Sequence, residues 1–182
     1  KDDVVAEIRQ DAIDLLRDHQ LSDERIEKVL GNPGEDYFLR EGVDNIVWHC
    51  LEIDRHGDSS KPLVSIRQIG EHEHEGATQI FIFLKDQPNL FAVTTATLDQ
   101  LNLNIQDARI MTSEGENNAV DTYVVLDEND QAIEDPQRLR DIQDSLVAAL
   151  AEPDEYSTLI KRRTPRSLKQ FQVETHVTMS ND

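Results

Sequence analysis

The sequence predicts an α+β protein in which a helical N-terminal segment precedes a four-stranded antiparallel sheet of β-α-β-β-α-β order. Two patterns carry this prediction. Apolar residues recur at helical spacing through residues 5–53, whereas residues 78–179 hold four strand-like runs separated by two helical stretches and by polar turns. The chain therefore divides into a helical segment (1–60), a linker with a possible short strand at 63–69 (61–77), and an α/β domain (78–180).

Three short helices are expected in the helical segment. The first has an apolar stripe formed by Val5, Ile8, Ala12, Leu15 and Leu16. The second begins after Ser22, a residue type that caps helices, and ends at Gly31, while the third runs from about residue 42 to 53. Because three short helices bury little surface, this segment is predicted to be one end of a larger helical domain.

The α/β domain is predicted to have strands at 78–84, 105–112, 120–126 and 171–178, with helices at 90–101 and 136–150. This is the split-βαβ, or ferredoxin-like, order, in which the first and third strands are central and the second and fourth are edges. The run at 78–84 has apolar residues on both faces, as a central strand requires. Phe81 and Phe83 are then expected opposite the helices, where a partner domain, the helical segment or a second copy would cover them.

Charge and cysteine content exclude several classes of function. The chain has 37 acidic and 18 basic residues and a net charge of −19, which disfavours nucleic acid and anionic membrane surfaces as partners. Its one cysteine, Cys50, permits no internal disulfide and fits a cytoplasmic location. No apolar run approaches the ~20 residues that span a bilayer.

Several motifs resemble known families. Residues 85–91 and 101–105 resemble the signature of ACT domains, which are small modules that sense amino acids. A broader resemblance, to the bifunctional uridylyltransferase/uridylyl-removing enzymes of bacterial nitrogen control, covers residues 37–40, 48–49, 79–82, 107–110, 121–126 and 171–175. It implies a fragment that follows the metal-dependent HD hydrolase domain and contains the first of two ACT domains.

The resemblance also implies a function. Enzymes of this family add uridylyl groups to the nitrogen-regulatory P-II protein and remove them, using magnesium and UTP, while their ACT domains report glutamine. The implied partners are glutamine, the second ACT domain, the HD domain and, through the parent enzyme, P-II. This chain has no Gly-Ser pair followed by Asp-x-Asp and no His-Asp pair, so we expect it to hold no cofactor and to perform neither reaction itself.

The predicted ligand site is the turn before the first helix of the α/β domain. There, backbone N–H groups at a helix N-terminus can bind a ligand carboxylate. ACT domains that bind amino acids usually have glycine after the loop proline, whereas this chain has asparagine. The candidate residues are Asp86, Gln87, Pro88, Asn89, Leu90, Phe91, Asn104 and Asp107. The alternatives are an ordinary turn capped by Asp86 and simple edge-strand polarity at Asn104 and Asp107.

Two further clusters leave alternatives open. His72 and His74, which alternate with glutamates, are weak metal candidates, and a solvated loop is the simpler interpretation. Asp107 and Asp121 are either an acidic pair or partners of Arg109. Three functions therefore stay open: a glutamine-sensing segment, a structural coupling module that binds no ligand, and a metal-dependent hydrolase.

Overall fold

The computed structural model describes residues 2–69, 76–113 and 115–152, which form a helical unit over residues 2–60 and an α/β unit that begins at Lys61. The helical unit contains α1 (Asp2–Asp18), α2 (Asp23–Leu30) and α3 (Glu35–His56). The α/β unit contains β1 (Leu63–Ile69), β2 (Ala77–Lys85), α4 (Leu90–Gln100), β3 (Asn104–Thr112), β4 (Asn118–Leu126) and α5 (Pro136–Ala151). No helix in these described ranges is long and apolar enough to cross a membrane.

The helical unit confirms the three predicted helices and corrects one boundary. Ser22 caps α2 by accepting a hydrogen bond from the backbone N–H of Arg25 (3.2 Å). Within α3, Gly42 has a non-helical backbone (φ 78°, ψ 167°) and forms a kink at which two helical stretches meet. The second stretch begins where the third helix was predicted, whereas the first, which begins at Glu35, was not predicted. The positive φ at the kink suits glycine.

The core of the helical unit includes a buried polar pair. The Tyr37 hydroxyl lies 2.8 Å from Nδ1 of His49, and the His49 side chain is fully buried. Apolar residues Leu16, Ile46 and Cys50 are also buried. Burial raises the pKa of the Cys50 thiol to about 12, so this cysteine is an unreactive core residue.

The sheet has the order β1-β2-β4-β3 and is antiparallel, with β2 and β4 at its centre as predicted. β1 pairs with β2 from Leu63↔Phe83 to Ile69↔Ala77. β3 pairs with β4 from Asn104↔Leu126 to Thr112↔Ala119, with a bulge between Ile105 and Asp107.

The edge of the sheet beside β2 differs from expectation. The ferredoxin-like order places the last strand there, and the sequence predicted that strand at residues 171–178. In the structure β1 occupies this edge, so the linker predicted over 61–77 contributes a full strand to the sheet. Residues 171–178 lie outside the described part of the chain.

Helices α4 and α5 pack on one face of the sheet and close an apolar core. That core includes Val64, Ile80, Ile82, Val93, Leu98, Tyr123, Val125, Ile142 and Leu146. Phe81, on the opposite face of β2, is also fully buried, and its ring stacks on partly buried Phe83 with centroids 6.4 Å apart. Both faces of β2 are thus buried, as predicted for a central strand.

Side-chain hydrogen bonds to the backbone stabilise both helices of the α/β unit. Asp135 caps α5 by accepting a hydrogen bond from Gln137 N (3.0 Å), with Pro136 in the first helical position. In α4, the hydroxyls of Thr94, Thr95 and Thr97 each donate to the carbonyl four residues earlier, at 2.8 to 2.9 Å. These bonds let three threonines be buried in a helix that they would otherwise disfavour.

Candidate functional site

The predicted ligand loop forms the turn between β2 and α4. Asp86 and Gln87 are partly buried, whereas Pro88 and Asn89 are exposed. The N-cap of α4 is Asn89 and not Asp86, so the alternative in which Asp86 caps the helix is wrong. The Asn89 side chain makes no capping hydrogen bond within the described residues.

Asn89 has a left-handed backbone conformation, with φ 66° and ψ 14°. Glycine enters this region without steric cost, and asparagine enters it more readily than most residues. The geometry therefore explains why the ACT signature favours glycine here and why asparagine is a workable replacement. The exchange keeps the turn but adds a side chain beside it.

The first turn of α4 is suited to bind an anion. The first N–H groups of any α-helix have no acceptor within the helix, and the helix dipole makes this end positive. The backbone N–H of Val93 bonds to the carbonyl of Asn89 (2.9 Å), so the helix is regular from its cap onward. Gln87 Nε2 donates to Leu150 O (3.2 Å), which attaches the turn to the C-terminal end of α5. A carboxylate therefore suits the positive end of α4, and the turn that leads into this end is held in place.

Asp121, in the first half of β4, is close enough to Asp86 of this turn to feel its charge, and its side chain is only 1% exposed. Its Oδ1 accepts a hydrogen bond from Met111 N (3.2 Å), and its Oδ2 has no hydrogen-bond partner among the described residues. Burial, assisted by the negative charge of Asp86, raises the pKa of Asp121 to about 8, against the opposing effect of the Met111 N–H. Asp121 is therefore mostly protonated at neutral pH.

Tyr123 lies two residues further along β4, so its side chain is on the same face of the strand as that of Asp121. Its ring is fully buried and stacks on Phe91 of α4 with centroids 6.4 Å apart. The Tyr123 hydroxyl lies near Thr94, whose hydroxyl donates its hydrogen to Leu90 O (2.8 Å) and keeps lone pairs that can accept one. Within the described ranges no bond of normal geometry is made by the Tyr123 hydroxyl. Burial, followed by the charge of Asp121, raises the pKa of Tyr123 well above the ordinary value, against the opposing effect of Thr94.

Asn104 and Asp107 do not join this cluster. Asn104 opens β3 just beyond the C-terminal end of α4, an 11-residue helix, and is about 16 Å along the helix axis from the turn. Asp107 forms a 3.0 Å ion pair with Arg109, which confirms the simpler of its two interpretations. Asp107 pairs opposite Val124 and Ile110 pairs opposite Asp121, so the two aspartates face opposite sides of the sheet. The proposed acidic pair is therefore wrong.

The opposite end of the α/β unit has a cavity of about 520 Å³ lined in part by Asp127, Glu134, Asp135 and Arg138. The Arg138 guanidinium donates to both carboxylate oxygens of Glu128 (3.0 and 2.7 Å) and to Leu101 O (3.1 Å). Because the Glu128 carboxylate already neutralises this cation, the cavity offers an anion little attraction.

His72 and His74, the weak metal candidates, lie outside the described residues. Among the residues that the structure does describe, no group of three or more His, Cys, Asp or Glu side chains is arranged to hold a metal ion.

Sequence reasoning assigned the turn correctly as a helix entrance but missed Asp121 and Tyr123 as a pair beside it. One signal was present, since an aspartate in a strand predicted to be central and apolar must be buried. Its importance depends on two features that the sequence does not give, the register of β4 against β3 and the placement of α4.

Comparisons with known proteins agree with the motifs. Residues 1–52 match a family model described as the fifth domain of uridylyltransferase GlnD. Three curated proteins, each named bifunctional uridylyltransferase/uridylyl-removing enzyme, align with this chain. The protein of Stutzerimonas stutzeri is 42% identical and that of Pseudomonas aeruginosa 40% identical, each over 100% of this chain and 20% of its own length. That of Pseudomonas syringae pv. tomato is 45% identical over 94% of this chain and 19% of its own length.

No solved structure matches the chain. The resemblance found in the motifs is nevertheless confirmed: along its whole length this chain is homologous to a segment of the bifunctional uridylyltransferase/uridylyl-removing enzymes, and it spans about a fifth of the length of these curated relatives.

Proposed function

We propose that this chain is a regulatory, glutamine-sensing segment of a uridylyltransferase/uridylyl-removing enzyme and is not itself catalytic. In this proposal the parent enzyme adds uridylyl groups to the P-II protein and removes them, with magnesium and UTP bound outside this segment. The proposal is supported by homology over the whole chain and by one structural observation. That observation is the turn at 86–89, which presents the first turn of α4 beside a left-handed Asn89.

The turn supports amino-acid binding because a carboxylate suits the positive end of α4. Anchoring by Gln87 to Leu150 O makes the same turn a mechanical link to α5, so a ligand bound there acts on both helices. Glutamine then shifts the balance between uridylyl transfer and removal only by the difference in its affinity for the two states. The second ACT domain and the HD domain of the parent chain are the proposed recipients of that change.

Titration calorimetry with glutamine, and with glutamate as a control, tests the proposal. A ligand at a hundredfold excess over Kd stabilises the folded protein by about 2.7 kcal/mol, so binding should also raise the melting temperature. Absence of both heat and thermal shift, in a chain that also carries the second ACT domain, would contradict glutamine sensing.

A second function, a coupling module that binds no ligand, is favoured by one observation. The Asn89 side chain stands where the ACT signature has glycine, and it adds bulk at the point of closest ligand approach. The variants Asp86→Asn and Asn89→Ala in the full-length enzyme distinguish the two functions. Unchanged glutamine affinity would support coupling alone, whereas a large loss would contradict it. Asp141→Asn, which alters an exposed carboxylate on α5, is the control.

A further inference from the structure

Helix α3 bends at a residue whose backbone conformation requires glycine. Gly42 has φ 78° and ψ 167°, a combination that residues with a side chain essentially never adopt. A Cβ placed on Gly42 would meet no atom within 4 Å, so the backbone conformation, and not crowding, is what requires glycine. Such conformations cluster at the switch regions of proteins, which makes this bend a candidate for movement.

A buried hydrogen bond joins the two stretches of α3 across the bend. The Tyr37 hydroxyl, from the first stretch, lies 2.8 Å from Nδ1 of His49 in the second, and the two ring centroids are 5.9 Å apart. The two residues are twelve positions apart, so a continuous helix would separate them by about 18 Å along its axis, farther than their side chains reach. The bond therefore exists only while α3 is bent.

A second side-chain bond spans the bend but does not depend on it. Asn45 Nδ2 donates to Glu41 Oε1 (3.2 Å), and residues four positions apart are also neighbours in a continuous helix. No proline interrupts residues 35–56, so the sequence is compatible with a regular helix through Gly42. Of the two bonds, it is the one between Tyr37 and His49 that distinguishes a bent α3 from a continuous one.

We infer that Gly42 is a hinge and that the Tyr37–His49 bond is a latch that holds α3 in its bent form. When the latch opens, residues 35–56 form one continuous helix about 33 Å long. A partner that binds one form more tightly than the other shifts the balance between them. The inference is independent of glutamine sensing, because no residue of the turn at 86–89 takes part in it.

Double electron–electron resonance on the 182-residue chain measures the bend directly. Spin labels are attached to cysteines introduced by Asp36→Cys and Arg55→Cys, at two exposed positions of α3, while the buried Cys50 thiol stays unlabelled. A continuous helix places the two labelled positions about 28 Å apart, and a bend brings them closer. The labelled chain without further changes is expected to show mainly the shorter distance.

Two variants should shift the balance toward the longer distance. Gly42→Ala disfavours the bent backbone and favours helix, and it should raise the ratio of long to short distances about tenfold. Tyr37→Phe removes the latch bond and should raise this ratio about fivefold. The matched controls, which should leave the ratio unchanged, are Gly31→Ala, at another glycine of positive φ with open space around its Cβ, and Tyr123→Phe in the α/β unit.

The outcomes separate the hinge from the latch. An unchanged ratio in both Gly42→Ala and Tyr37→Phe would overturn the inference, because the bend would then be a fixed part of the fold. A shift in Gly42→Ala alone would overturn the latch. Should Gly42→Ala not fold, Tyr37→Phe decides by itself, and an unchanged ratio overturns the inference. A labelled chain that shows mainly the 28 Å distance of a continuous helix before any further change would overturn hinge and latch together.

Discussion

Polar residues lie near both ends of α4, but the hydrogen bonds that they make differ. At the C-terminal end, Asn104 Nδ2 donates to Asp127 O (3.2 Å) and Arg138 bonds to Leu101 O and Glu128. At the N-terminal end, within the described residues, Asp121 Oδ2 and the Tyr123 hydroxyl have no partners. The residues named here therefore differ in hydrogen bonding, since Asn104 and Arg138 are bonded whereas these two atoms of β4 are not.

The largest expected effect is that of Asp121 on the pH dependence of the protein's stability. The pKa of Asp121 is raised from its ordinary 3.8 to about 8, so between these values the folded state binds one more proton than the unfolded state. The free energy of unfolding should then fall as pH rises through this window, by up to about 1.4 kcal/mol per pH unit. Urea unfolding of the unaltered chain and of Asp121→Asn should be measured across this pH window. The free energy of unfolding of the variant should depend less on pH. Relative to the unaltered chain, the variant should be stabilised most near the upper end of the window, at about pH 8.

The control for that experiment is Asp141→Asn, which changes an exposed carboxylate on α5 and should keep the original slope. A slope that persists in Asp121→Asn would show that other groups cause it, and the contrast between the two ends of α4 would lose its main support.

A smaller effect is expected for Tyr123→Phe, which removes an unpartnered buried hydroxyl and should raise the free energy of unfolding by about 1 kcal/mol. Tyr37→Phe is a matched control, because the Tyr37 hydroxyl bonds to buried His49 and its removal should lower the free energy of unfolding by a similar amount. Urea denaturation measures both. Changes of the same sign in the two variants would contradict the assignment of Tyr123 as unsatisfied.

At the C-terminal end of α4, Asn104→Ala should destabilise the protein by about 0.5–1 kcal/mol, since one partly buried hydrogen bond is lost. Glutamine affinity should not change, because Asn104 lies at the far end of α4 from the turn. Thermal unfolding and calorimetry on the same sample check both statements, with the exposed neighbour Gln106→Ala as the control. A loss of glutamine affinity without a loss of stability would show instead that Asn104 belongs to the ligand site.

The smallest effect is expected for Asn89→Gly, because glycine adopts the left-handed conformation of Asn89 without strain. Stability should change by less than about 0.5 kcal/mol in either direction, while glutamine affinity should rise as bulk is removed from the turn. Asn89→Val, at the same position, should be clearly destabilising since β-branched residues avoid this conformation. Equal tolerance of glycine and valine in thermal unfolding would argue against the left-handed turn.

Much of this fold could be predicted because its signals are local. The cap at Asp135, the cap at Ser22 and the two-sided apolar pattern of β2 each depend on a few adjacent residues. The turn at residues 86–89 was predicted for the same reason, because it lies between a strand and a helix that are both readable from periodicity.

The remainder depends on contacts between distant residues. Nothing within residues 63–69 by itself indicates that β1 lies beside β2, because the sequence has a second run with the composition of an edge strand, at 171–178. The first part of α3 was missed because Gly42 was correctly read as a helix boundary, but a second helical stretch, beginning at Glu35, leads into it across the kink. The importance of Asp121 depends on its burial and on the register of β4 against β3, and neither can be read from the residues adjacent to it in the sequence.

The hairpin of β1 and β2 affects how quickly the sheet forms. Only seven residues separate Ile69 from Ala77, whereas a partner strand at 171–178 would leave a loop of about 85 residues to be closed. By the logarithmic dependence of loop entropy on length, the shorter connection lowers the cost of closure by about 2 kcal/mol. The edge beside β2 is therefore expected to pair early in folding, and a chain still emerging from the ribosome can complete this pairing before its final residues are synthesised.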